Sequence, residues 1–298
     1  MNMTWTALRW VWRLEAPLFV GIPPAGALNR CRPYVPARTL WGAVTAEISR
    51  SSNGDSFPDY RKRGEEIREQ CRFTYLFPAE KRGDKVLAWR PLFRKKGLQW
   101  CCNGGEEYLS DRDFRRRLMG SRPGTAIAPE SYSASEGTLR ETECINPWWR
   151  DSNCQEETSA VLLLGYVFLR KNGFRSQLDN IDTLFVGGDT RYGHGRISRV
   201  GGHKEAGDVS VFGKPIHRDR ENPGIQSDII WGHALEGDWQ KKQMIQGEQE
   251  LLGGWNQGSP WRGKLTWAPG TFLTESAVWS IEKDGYWKHQ DKNRRERK

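Results

Sequence analysis

Residues 4–14 (TWTALRWVWRL) set Leu8, Trp10, Trp12 and Leu14 on one parity and Trp5, Ala7, Val11 and Arg13 on the other. That period of two predicts a first strand with a strongly apolar face, its tryptophans in the core. Pro17, Gly21, Pro23, Pro24 and Gly26 predict a long exposed loop, and Cys31–Pro36 a short extended segment bounded by proline. In Thr39–Arg50, Leu40, Val44 and Ile48 recur every four residues beside Trp41 and Ala43, which predicts a helix. Thr39 is its expected N-cap and Asn53–Gly54 its expected end. Residues 59–70 read as a charged loop or short surface helix. Phe73–Phe77 and Val86–Phe93 read as paired strands around Arg82–Gly83–Asp84.

Further along, residues 111–119 predict a short helix with a basic face, and Gly124–Asn146 an extended polar tract turning at Gly137. Ser159–Leu169 predicts a buried strand and Leu178–Phe185 a short helix or turn. A glycine-rich loop, Gly187–Gly195, then leads into a strand at Arg196–Val200. Residues 201–260 carry Gly and Trp without a clear period, which suggests loops over a core or an insertion. Lys264–Trp267 and Ser276–Lys283 predict late strands, and His289–Lys298 a frayed basic tail.

Composition narrows the class. The chain has 298 residues, enough for one large domain or two small ones. Its 15 Trp, 11 Phe and 8 Tyr carry too much apolar surface to stay solvated, so disorder is excluded. The longest apolar run, Ala160–Leu169, is far short of the roughly 20 residues of a membrane span. No basic-then-apolar leader opens the sequence, so a cytoplasmic location is expected. Lys plus Arg number 46 against 37 acidic residues, a net charge of +9, which points to an anionic partner. With Trp and Tyr offering stacking faces, nucleic acid is the expected one, although ordinary solubility charge has the same sign. No long basic amphipathic helix supports a membrane surface. The six cysteines include no C-x-x-C; reduced thiols are expected, with neither a disulfide scaffold nor a zinc site.

Two motifs carry candidate chemistry. In Tyr34-Val35-Pro36-Ala37-Arg38-Thr39-Leu40-Trp41-Gly42-Ala43, a proline-stopped segment meets a helix N-terminus. Its free N–H groups favour an anion, Arg38 adds a charge-assisted bond, and Gly42 lets another backbone come close. A normally capped helix on a sheet would use the same residues. In Phe185-Val186-Gly187-Gly188-Asp189-Thr190-Arg191-Tyr192-Gly193-His194-Gly195-Arg196-Ile197, closely spaced glycines with arginines between them can wrap main-chain N–H groups around phosphate. The same glycines would also serve a tight turn. The spacing fits neither the dinucleotide fingerprint nor the P-loop.

Together the motifs resemble the RAMP proteins (repeat-associated mysterious proteins) of CRISPR effector complexes. The first is similar to their P-G-[ST]-[ST]-L-[KR]-G-A signature and the second to their G-G-x-x-[ST]-x-G-x-G-R loop. Between them, Thr125-Ala126-Ile127 followed by Ala134-Ser135-Glu136-Gly137-Thr138-Leu139-Arg140-Glu141-Thr142-Glu143 resembles a hairpin segment of type III members. The three signatures stand in family order within residues 5–200. The resemblance implies an α+β fold. Residues 1–200 would form a ferredoxin-like or RRM-like core (βαββαβ) with a protruding thumb hairpin near 111–146. Residues 201–298 would form a Trp/Gly-rich C-terminal extension. It also implies CRISPR RNA as a partner, with neighbouring backbone subunits, a large subunit, and target RNA or DNA met indirectly.

Three roles compete within the family. A guide-processing nuclease of this family uses a histidine in the first half of the chain. Here the first histidine is His194, followed by His203, His217, His233 and His289. A target-cleaving backbone subunit carries an aspartate in the loop after the first strand. Glu15–Pro36 has none, and Asn29 and Arg30 hold the middle of that loop. The third role, a non-catalytic subunit holding the 5′ handle of the guide in antiviral defence, fits best. The expected RNA-binding set is Arg30, Arg38, Thr39, Gly42, Arg115, Arg116, Gly187, Gly188, Arg191, Tyr192, Gly193, His194, Gly195 and Arg196, with no catalytic residue, cofactor or metal. Arg115–Arg117 serve equally as a solvated face, Asp189 as a turn residue, and Trp148–Trp149 as an exposed interface or base stack. The alternatives are a backbone subunit along the guide, an RRM-like RNA-binding protein outside CRISPR, and a hydrolase built on His194 and Asp189.

Overall fold

The computed structural model describes residues 4–52, 57, 59–102, 106–150, 160–170, 174–202, 204–205, 210–237, 239–240, 243–253 and 263–290. The expected helix stop at Asn53–Gly54, Cys154, His203 and residues 291–298 of the basic tail lie outside them, as do 206–209 and 254–260 of the irregular stretch.

The first half contains β1 (Thr6–Leu14), β2 (Leu28–Asn29), α1 (Ala37–Ser52), α2 (Tyr60–Gln70), β3 (Cys71–Phe73), β4 (Phe77–Arg82), β5 (Lys85–Ala88), β6 (Arg90–Arg94), β7 (Gly97–Cys102), β8 (Glu107–Ser110), α3 (Asp111–Leu118), β9 (Met119–Gly124) and β10 (Arg140–Ile145). Next come β11 (Leu162–Leu169), α4 (Arg175–Asp179), β12 (Thr183–Phe185), β13 (Arg196–Arg199) and β14 (Lys204–Glu205). One sheet has the order β12-β13-β1-β11-β4-β5, with β14 also on β1 and β3 also on β11; every pairing in it is antiparallel. β1 therefore lies inside the sheet, and because Trp5, Ala7 and Val11 of one parity and Leu8, Trp10 and Trp12 of the other are all buried, protein covers both its faces. β11 is buried along its whole length, as its unbroken apolar run requires.

The amphipathic period of α1 seats Leu40, Val44 and Ile48 in the core. Each such side chain is worth about 1.5–3 kcal/mol of transfer free energy. Thr39 is not its cap. The helix starts two residues earlier, and the Pro36 carbonyl accepts from the N–H groups of Thr39 and Leu40. Residues 60–70 are helical, capped by the Asp59 carboxylate on the Lys62 N–H at 2.9 Å. The expected strand pair is displaced. β4 and β5 flank Gly83–Asp84 as anticipated, but β3 pairs β11 separately and β6 leaves to pair β7. The break falls at Trp89, fully buried, with its indole on Glu80 at 2.9 Å.

The larger departure is at residues 201–260, read as loop or insertion. Here the chain forms β15 (Ser210–Val211), β16 (Lys214–His217), β17 (Gly224–Ile229), β18 (Ala234–Leu235), β19 (Ile245–Gln246) and β20 (Gln249–Leu252). With β21 (Lys264–Trp267), β22 (Phe272–Ile281) and β23 (Trp287–His289) they make a nine-stranded sheet, β15-β16-β17-β22-β23-β18-β21-β20, with β19 also on β22. Strands this short carry too few residues to show a period. Both sheets share one hydrophobic core, to which Trp12 and Phe77 contribute from the first and Trp279 and Trp287 from the second. Among the described residues no helix is long and apolar enough to cross a membrane.

A polar pin ties the halves together. Arg32 makes paired hydrogen bonds to Glu250, and Glu250 accepts from His233 Nε2 at 2.9 Å. The Tyr75 hydroxyl lies 2.6 Å from His233 Nδ1 and accepts from the His233 backbone N–H at 3.2 Å. Tyr75 thus donates to Nδ1, which fixes the neutral Nε2–H tautomer aimed at the carboxylate.

Candidate nucleic-acid interface

Three segments converge at the C-terminal end of β1: the loop 15–36, the β9–β10 hairpin and the glycine loop 186–195. Leu18 and Ile145 exchange backbone hydrogen bonds at 3.0 and 2.8 Å, which docks the loop on the hairpin. β2 extends that hairpin as a third strand, parallel to β10. The glycine loop closes on the same loop: Gly188 N–H donates to Phe19 O and Gly195 N–H to Pro17 O, both at 2.8 Å.

These bonds correct the expected role of the glycines. The N–H groups of Val186, Gly188, Tyr192, Gly193, His194 and Gly195 all donate to carbonyls of the chain itself. They are spent on closing the turn and do not wrap an anion. Glycine is required by space: a Cβ on Gly187 would lie 2.3 Å from Phe19 O, and one on Gly195 2.0 Å from Val186 O. Gly193 takes φ +82° at the end of the 3-10 turn Thr190–Tyr192, and Asp189 opens that turn at φ +57°, the turn role anticipated for it. His194 is half-buried, and its Nδ1 has no hydrogen-bond partner.

What the loop offers solvent is side chains. Arg191 and Arg196 are exposed, and Tyr192 is 70% exposed. Arg140 of β10 sits over the Tyr192 ring at 5.6 Å. The β9–β10 register puts Arg122 opposite Thr142 and Arg140 opposite Gly124, so Arg122 and Arg140 share one hairpin face. Arg30 is exposed where β2 leaves the hairpin. Five guanidinium groups thus line the three segments, and none makes an ion pair with a described residue. Arg122 and Arg140 were not among the expected site residues; Arg140 lies inside the hairpin motif, but only the β9–β10 register puts Arg122 on its face. Beyond them the hairpin end exposes Ile127, Tyr132 and Leu139.

The helix motif behaves differently. The glycine loop meets Pro17–Phe19, not the N-terminus of α1. That N-terminus abuts the turn between β22 and β23, where a Cβ on Gly285 would lie 2.5 Å from Ala37 Cβ. The chain itself therefore crowds the anion seat expected there. Arg38 is exposed and Thr39 half-buried. Gly42 is exposed with no atom within 4 Å of an added Cβ, so no other backbone among the described residues approaches it. Gly42→Ala is therefore expected to stabilise the fold by about 0.5–1 kcal/mol, read as a higher urea midpoint.

On α3 the arginines divide. Arg115 pairs with Asp111 at 3.1 Å and Glu143 at 3.3 Å and donates to Cys31 O, so it fastens helix, hairpin and loop together and is not available for phosphate. Arg117 bonds Glu80 at 2.9 Å and lies over Trp149 at 4.7 Å. Arg116 is exposed. Trp149 is fully buried, contrary to its expected exposure; Trp148 is 45% exposed with Arg13 over its ring at 5.4 Å. Asn29 donates its amide to the Thr142 hydroxyl at 3.3 Å. Among the described residues no group of three or more His, Cys, Asp or Glu could hold a metal ion.

No family model matches the chain, and no curated protein matches it. Solved structures do. A chain of the type III-B Cmr-beta complex bound to cognate target RNA and AMPPnP superposes with a TM-score of 0.55 at 12% identity, covering 89% of this chain and 85% of its own. A chain of the same complex bound to cognate target RNA gives 0.54 at 12% identity, covering 89% and 86%. The chain has the fold of a subunit of a type III CRISPR effector complex, the class that its motifs resemble.

Proposed function

We propose that this chain is a non-catalytic RNA-holding subunit of a CRISPR effector ribonucleoprotein, gripping the 5′ handle of the guide and contacting neighbouring subunits. One observation carries the reading: the glycine loop, the hairpin and the loop after β1 present Arg30, Arg122, Arg140, Arg191 and Arg196 together, with Tyr192 exposed among them. Guanidinium groups beside an exposed ring suit a single strand, by phosphate contact and base stacking. The strand order supports the ferredoxin-like core. β1, α1, β3, β11, α4 and β13 run β-α-β-β-α-β along the chain and stand β13-β1-β11-β3 in space, with first and third strands central. In this reading β9–β10 is the thumb, and its exposed Ile127, Tyr132 and Leu139 are the wedge beside the guide. Such a wedge serves a backbone subunit along the guide equally well, and that is the second reading.

Bond breaking is assigned to other subunits, because Asn29 offers an amide where a carboxylate would be needed. Co-purifying RNA is expected to show a constant 5′ end, and the purified chain to bind that segment in chelator and leave it uncut. Binding of any guide segment with equal affinity would favour the backbone role. Metal-dependent cleavage abolished by replacing a single Asp or His of this chain would overturn both.

A further inference from the structure

Away from this face, a cavity of about 510 Å³ opens between the β6-β7-β8 sheet and the second large sheet. Its volume is that of a small-ligand site. Phe212 forms one wall from the tip of the β15–β16 hairpin, at φ +53°, a conformation disfavoured for any residue with a Cβ. Its ring is fixed edge-on by Tyr166 at 5.0 Å, Trp231 at 5.5 Å and Phe77 at 5.6 Å.

Against this wall lies Arg90, only 9% exposed. Its guanidinium stacks over Trp231 at 4.3 Å and donates to Phe212 O at 2.9 Å. No carboxylate among the described residues pairs with it. A buried cation without a counter-ion is strongly unfavourable, so the site is built for an anion to complete it. Arg94 adds a second guanidinium at the mouth, stacked on Tyr108 at 4.3 Å. Lys214 is already engaged by Asp228 at 2.5 Å. The lining thus holds three cations against one carboxylate, with the aromatic rings of Phe93, Phe272 and Trp231 between them.

We propose that this cavity binds a nucleoside monophosphate unit, with its phosphate on Arg90 and Arg94 and its base among the aromatic rings. A guanidinium can grip a phosphate bidentately, and the lining supplies two of them. The flat apolar walls match a base, and the Gln246 amide and Asp228 carboxylate are placed in the lining to read base edges or ribose hydroxyls. The unit is either a free nucleotide or one turned out of an RNA strand; the chemistry of recognition is the same.

The test uses the full chain freed of nucleic acid, titrated calorimetrically with AMP, UMP and a short 5′-phosphorylated RNA. Binding of the mononucleotide, and whatever RNA binding survives in Arg191→Glu, is expected to be lost in Arg90→Gln and weakened at least tenfold in Arg94→Ala. Should Arg90→Gln fail to fold, Arg94→Glu at the more exposed mouth carries the test. Competition between RNA and AMP assigns the unit to a strand; AMP binding indifferent to RNA assigns it to the free nucleotide. Arg191→Glu, on the separate RNA face, is expected to leave AMP binding unchanged, so this proposal and the RNA-holding one fail separately. It is overturned if no probe binds at millimolar concentration, if binding ignores Arg90 and Arg94, or if an acidic aromatic peptide binds the cavity in preference to AMP and RNA.

Discussion

Glu250→Ala is expected to cost about 3–5 kcal/mol of folding stability, because it leaves Arg32, 8% exposed, without its counter-ion. It also strips the fully buried His233 of the acceptor for its Nε2–H. Glu250→Gln keeps an acceptor and is expected to cost less. The comparison is read from urea midpoints of the two variants at pH 7. The same pin predicts acid sensitivity. Burial raises the Glu250 carboxyl, but hydrogen bonds from His233 and Arg32 outweigh it and hold the group at about 2. Its folded pKa is depressed, so its stabilisation is complete above the ordinary carboxylate range and is lost as pH falls through about 2. Burial also holds His233 below its ordinary value, with the Glu250 bond opposing. A neutral histidine of this kind contributes fully above its ordinary pKa, and that contribution shrinks as pH drops below it. Stability is therefore expected to decline first below about 6.5 and again between about 4.5 and 2. Glu250→Gln should flatten the second decline; an unchanged acid profile in that variant would assign the sensitivity to other groups.

On the RNA face, the combined variant Arg140→Glu, Arg191→Glu and Arg196→Glu is expected to lower affinity for the co-purifying RNA at least a hundredfold at physiological salt. The slope of log affinity against log salt should shrink by about 0.7 for each phosphate of a single strand that is no longer neutralised. All three side chains are exposed, so the melting temperature should shift little. Arg140 additionally gives up its cation–π stacking on Tyr192, worth about 0.5–1 kcal/mol at an exposed site. Arg115→Glu is the contrasting control. It breaks ties to Asp111, Glu143 and Cys31 and is expected to lower stability as well as binding. Wild-type affinity and salt slope in the triple variant would place the RNA elsewhere.

The contrast between Arg115 and Arg116 shows why the candidate site was only half legible. Adjacent arginines on one helical tract look alike as sequence. Only the arrival of Glu143 from the hairpin and Cys31 from the loop turns the first into a structural tie and leaves the second in solvent. The glycine loop teaches the same lesson in reverse. That it turns the chain into a strand, β13, was readable from spacing; that a strand, β12, and not a helical turn precedes it was not. Whether its amides faced an anion or the chain depended on Pro17 and Phe19, more than 160 residues away in sequence.

Sequence alone determined the local elements: the tryptophan-rich strand β1, the four-residue rhythm of α1, the buried run of β11, the turn at Gly137 and the basic charge. Each follows from steric and hydrophobic periodicity within a few neighbouring residues, and that information is complete without a partner. Tertiary structure alone decided which amides are spent, which cations are free, and that the Gly- and Trp-rich stretch forms a sheet. It also brought Arg32 to Glu250 and Tyr75 to His233 across most of the chain. Those outcomes turn on whether a distant group arrives within hydrogen-bonding distance. Such an arrival is a property of packing, which no local pattern encodes.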